Sequence, residues 1–105
     1  MIPLKKIEEL IQKHSLLEKD LSLGKIDKKL FAEKSKEYAD LNEIIKDAKK
    51  YFSYEKDRLE IQKILDDKNS DTELIKMAEI ELNDLKQENE TNEKKLKMFL
   101  LPKDE

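Results

Sequence analysis

The chain has 105 residues, 45% of them charged and 37% hydrophobic, with 22 Lys+Arg against 25 Asp+Glu and a net charge of -3. That length holds one small domain, and a single Gly makes a turn-rich sheet fold untenable. The absence of Cys excludes a disulfide scaffold, a thiolate metal site and a Cys nucleophile.

The N-terminus, Met1-Ile2-Pro3-Leu4-Lys5-Lys6, meets acids by Glu8 without a long apolar core, and reads as neither a signal nor a transit peptide. A first helix is expected over about 3–23. Pro3 suits its first position, where a missing N–H costs nothing. Leu4, Ile7, Leu10, Ile11, His14, Leu17 and Leu21 form its apolar stripe. Gly24 sits where a left-handed residue would end it.

A second helix follows Asp27, a plausible cap, and runs over about 28–65 without Gly or Pro. Phe31, Ser35, Tyr38, Leu41, Ile45, Ala48 and Phe52 form one row along it. Beyond Phe52 the row degrades. Such a helix reaches on the order of 55 Å, so part of it is expected to form a two-helix coiled coil.

Asp66-Asp67-Lys68-Asn69 is the second break, rich in turn formers. Ser70-Asp71-Thr72-Glu73 reads as a capping box between Ser70 and Glu73. The third helix is expected over about 71–101, with the stripe Leu74, Ala78, Leu82, Leu85, Asn89, Asn92, Leu96 and Phe99. Pro102 ends it. Asn89 and Asn92 on a seam read as register-setting polar residues.

Short connections make neighbouring helices antiparallel. The expected fold is all-α: a three-helix antiparallel bundle from which a long, coiled-coil-like helical hairpin projects, with Asp66–Asn69 at its tip. Leu59, Ile61, Ile64 and Leu65, with Leu74, Ile75, Met77 and Ile80, make an apolar surface wider than a two-helix seam buries. Either the tip twists to share it or another surface covers it.

Chemistry is sparse. His14, the single His, lies on an apolar stripe without a metal-ligand set or a nucleophile beside it. The pairs Glu8-Glu9, Asp66-Asp67 and Glu79/Glu81 read as solvated partners of the abundant Lys. No Gly-rich phosphate loop or nucleophile elbow exists. The aromatic residues lie mostly on the apolar rows, as packing requires. Enzyme activity, cofactor, metal and small-molecule ligand are not expected. Residues 25–58 hold 10 basic and 8 acidic side chains, and residues 59–105 hold 8 and 13. This balance excludes free nucleic-acid binding by bulk charge. No membrane partner is expected, since the longest apolar run is Met98-Phe99-Leu100-Leu101. Lys46, Lys49 and Lys50 cluster off the stripe, as a solvated face or as point charges for phosphate.

Three ordered segments carry a resemblance. Phe31-Ala32-Glu33-Lys34-Ser35-Lys36-Glu37-Tyr38-Ala39-Asp40-Leu41 is similar to the F-x-x-x-S-K-E-Y-x-x-L of bacterial class I peptide chain release factors. Met77-Ala78-Glu79-Ile80-Glu81-Leu82 is similar to their M-A-x-x-E-L, and Leu100-Leu101-Pro102-Lys103-Asp104 to the L-L-P-K-D that closes their N-terminal helical domain. The last segment favours the release factor 1 type, which reads UAA and UAG; Phe99 departs conservatively from a third Leu. The resemblance implies translation termination in the cytoplasm. It implies docking on the ribosome near the stalk base, within reach of a GTPase release factor. The family's codon-reading and Gly-Gly-Gln parts are absent from this sequence. Residues 1–101 are then expected to be the helical N-terminal domain and 102–105 the start of a linker to further domains. Lys46, Lys49, Lys50, Lys68 and Asn69 are the candidate ribosome contacts. The alternative is a stand-alone coiled-coil adaptor or structural protein that binds a partner helix.

Overall fold

A computed structural model of the chain describes residues 1–24 and 26–102. It contains α1 (Leu4–Leu23), α2 (Lys28–Asp66) and α3 (Thr72–Leu100), each within a residue or so of the boundaries expected. Pro3 is the cap of α1 and not its first helical residue. Its carbonyl accepts from the N–H groups of Lys6 (3.0 Å) and Ile7 (3.4 Å). Gly24 closes α1 at φ 66°, a left-handed angle that a side chain would strain. Asp27 precedes α2 as expected but caps it through its carbonyl, which accepts from the Phe31 N–H at 2.8 Å, and not through its side chain.

The expected capping box does not form. Asp71 is the cap of α3, its carboxylate accepting from the Leu74 N–H at 2.8 Å. The Ser70 hydroxyl is engaged elsewhere: it donates to the Ile64 carbonyl at 2.8 Å, one of the unpaired acceptors at the end of α2. The helix therefore starts one residue later than the box required. Of the expected linker, Pro102 is described and residues 103–105 lie outside the described residues.

The 39 residues of α2 set the length of the molecule. At 1.5 Å per residue they span about 58 Å, against a long dimension of 60 Å. Both other helices run antiparallel to α2. On α1, Asp20 pairs with Lys34 and Lys13 with Glu37, and just before α1 the Ile2 N–H donates to the Tyr51 hydroxyl. On α3, Glu88 pairs with Lys50 and Lys95 with Asp47. All three helices meet only at a waist. There Ile2, Ile7, Ile44, Ala48, Tyr51 and Leu96 form the buried core, with Leu10, Ile11 and Leu100 against it. From this waist the late half of α2 and the early half of α3 extend as the expected hairpin.

The apolar row expected on α2 is half of what the fold uses. Leu41, Ile45 and Ala48 are buried, but Phe31 and Phe52 stay 46% and 42% exposed. Ile44, Tyr51 and Ile61, outside the row, are buried instead. The cause is that α2 has two partners on different faces. One row seats α1 and a second, rotated row seats α3. Phe52 continues the first row past the point where α1 begins. On the hairpin, Ile61 is buried and Ile64, Leu65 and Ile75 are half-buried, whereas Leu59, Leu74, Met77 and Ile80 remain exposed. The two helices do not wrap far enough to share that whole surface.

Candidate functional site

Exposed charge on α2 and at the hairpin tip carries the candidate contacts. Lys46 and Lys49 are exposed and make no ion pair among the described residues. Lys50 differs: its ammonium donates to Glu88 Oε1 at 2.5 Å. That hydrogen bond and the carboxylate charge raise the Lys50 pKa above the ordinary lysine value. Lys50 is thus committed to holding α3 on α2. The spacing of three between Lys46 and Lys49 and of seven between Lys49 and Lys56 puts Lys56 on the face shared by the first two. Lys56 is exposed and without an ion pair among the described residues. It extends the basic face along α2; its spacing was the signal that would have found it.

Lys68 and Asn69 lie in the turn between α2 and α3, about 24 Å along the helix from Lys50. The structure does not bring the two groups together. The Asn69 N–H donates to Asp67 Oδ1 at 2.9 Å, and the Ser70 N–H to the Asp67 carbonyl at 3.2 Å. These bonds fix the turn in an Asx-type geometry. Lys68 is exposed among Asp66, Asp67, Asp71 and Glu73.

The buried polar groups hold structure. The His14 ring stacks on Tyr38 with centroids 4.8 Å apart, and its Nε2 lies 3.0 Å from Asn42 Oδ1. The S-K-E-Y part of the first family-like segment thus meets α1 through Glu37, paired with Lys13, and through Tyr38, stacked on His14. At the waist, the Tyr51 hydroxyl accepts from the Ile2 N–H at 3.2 Å and donates to Glu93 Oε2 at 3.1 Å. Lys97 pairs with the same carboxylate at 3.0 Å. Lys97 first, and Tyr51 second, hold the Glu93 carboxyl below the ordinary carboxylate range. Burial pushes the Tyr51 phenol up.

These shifts give a pH dependence. The depressed Glu93 carboxyl contributes stability that is fully present above its unfolded pKa and lost as pH falls through its folded value. The raised Tyr51 phenol contributes stability present below its unfolded pKa and lost as pH rises through its folded value. On acidification from neutrality to about pH 3, the melting temperature of Glu93→Gln is expected to fall less than that of the wild type. Parallel acid slopes in a circular-dichroism titration would mean that Glu93 is uncoupled from the fold.

No described helix is long and apolar enough to cross a membrane, and no cluster of metal-ligating side chains occurs among the described residues. Known proteins add the following. Residues 8–105 match the PCRF domain. Over all 105 residues the chain is 71% identical to peptide chain release factor 1 of Pelagibacter ubique, and it covers 29% of that protein. It is 36% identical over 98 residues to peptide chain release factor 1 of Orientia tsutsugamushi, a match covering 93% of this chain and 27% of the relative. With peptide chain release factor 1 of Agathobacter rectalis it shares 39% identity over 101 residues, covering 94% of this chain and 28% of the relative. The chain therefore spans less than a third of the length of these relatives. No solved structure matches it significantly.

Proposed function

The chain belongs to the PCRF-domain family, and from that membership we propose that it is the helical N-terminal domain of a release factor 1 type protein. In this reading it docks the factor on the ribosome, in the cytoplasm, while translation terminates at UAA or UAG. The observation that carries the reading is the 71% identity sustained over the full 105 residues to a peptide chain release factor 1. The form of the molecule supports it. A helical body 60 Å long but only 20 Å thick offers much surface and little enclosed volume, which suits docking better than chemistry. The reading assigns no hydrolytic step to these residues. Reading of the codon and release of the peptide belong to other parts of a full-length factor.

Within this proposal the exposed Lys46, Lys49 and Lys56 face is a phosphate-contacting surface, because lysines act there as point charges at an unpaired helix face. Lys50, Lys68 and Asn69 are secondary contacts. The stalk-base region of the ribosome is the proposed seat, and a GTPase release factor the proposed neighbour.

The test is co-sedimentation of the 105-residue chain with ribosomes stalled at a stop codon, alongside a peptidyl-tRNA hydrolysis assay. Binding without hydrolysis is expected, and Lys46→Glu/Lys49→Glu is expected to weaken binding. A chain that never pellets with ribosomes, or one that releases peptide alone, would overturn the proposal.

A further inference from the structure

We propose that the hairpin arm opens as a cooperative unit of its own, and that a polar layer of Tyr54, Asp57, Asn89 and Asn92 is the break separating it from the waist. The seam between α2 and α3 is not continuous. The apolar waist core ends at Tyr51 and Leu96, the buried residue that follows on α3 is the polar Asn92, and full apolar burial resumes on the arm at Ile61 and Ala78. Between them, Tyr54 and Asp57 of α2 face Leu85, Asn89 and Asn92 of α3 around an open cleft of roughly 130 Å³, which the exposed Lys50–Glu88 ion pair also lines and which no apolar side chain fills. Asn89 Oδ1 is buried there without a hydrogen-bond partner. An orphaned buried acceptor, with a solvent-open cleft where packed side chains would be, weakens the layer.

The arm beyond this layer is also the less stable part. Ile61 and Ala78 are its buried apolar residues among those described and Ile64, Leu65, Ile75, Leu82 and Leu85 are half-buried, whereas Leu59, Met77 and Ile80 are 49%, 67% and 63% exposed. Residues 59–90 carry ten acidic side chains against four basic ones, so the arm repels itself. Few buried contacts, a weakened junction and like charge are the conditions under which a segment opens below the global unfolding free energy. The molecule is then a firm three-helix waist bearing a compliant two-helix arm.

Hydrogen–deuterium exchange on the 105-residue chain tests this. Amides of residues 60–64 and 76–82 are expected to exchange at least about tenfold faster than those of 44–48 and 94–97. Asn89→Leu/Asn92→Leu, which fills the layer with apolar side chains, should narrow that gap by slowing the arm. Ile61→Ala should widen it, speeding the arm and leaving the waist unchanged. Equal protection of arm and waist in the wild type would overturn the proposal. So would a gap that the double substitution leaves intact, or an Ile61→Ala variant whose waist accelerates along with its arm.

Discussion

Leu96→Asp is expected to abolish cooperative folding. Leu96 is 0% exposed and sits in the waist core with Ile7, Ile44 and Ala48. Burying a carboxylate without a partner costs several kcal/mol, and a domain of this size has about 5–15 kcal/mol in total. The milder Leu96→Ala should lose about 2–5 kcal/mol through lost transfer energy and the cavity left behind. Met98→Asp, two residues along and 72% exposed, is the control and should stay within about 0.5 kcal/mol. Thermal and urea melts followed by helical circular dichroism measure all three. If Leu96→Asp melted like the wild type, the waist would not be the core.

Ala48→Leu is the second large effect, with the opposite cause. Ala48 is 0% exposed at the level where α1 and α3 both reach α2, so its small size sets how closely the three helices approach. Extra methylenes there force the helices apart, at a cost of about 1–3 kcal/mol. At Ala39, exposed on the same helix, the same change should be nearly neutral, since Leu is also a good helix former. A stabilised Ala48→Leu would mean that the waist is loosely packed.

The two substitutions also mark where local pattern stops being informative. Leu96 is legible as a core residue from its place on the α3 stripe. Ala48 is legible as lying on a row, but not as a fully buried member of the core that residues from all three helices share. Tyr51 was not legible at all: its neighbour Phe52 fits the row better and is the more apolar, yet Tyr51 is the one buried. A row read from one helix cannot register that the helix has two partners, and Tyr51 lies between them, its hydroxyl bonded to Ile2 on one side and Glu93 on the other. Among the docking candidates, Lys50 looked equivalent to Lys46 and Lys49 in sequence. Glu88, thirty-eight residues later, removes it from the free face.

Three helices, their ends to within about a residue, and the family resemblance can all be read from the residues alone. Those properties are local: periodicity, turn formers, Gly24, Pro3 and Pro102 act within one or two helical turns. Which face of α2 meets which partner, the shared core over a short waist, and the lysines left without an ion pair among the described residues emerge from the packed fold. Those follow from side chains far apart in sequence competing for the same surface, and pairing across such separations leaves no periodic trace in the chain.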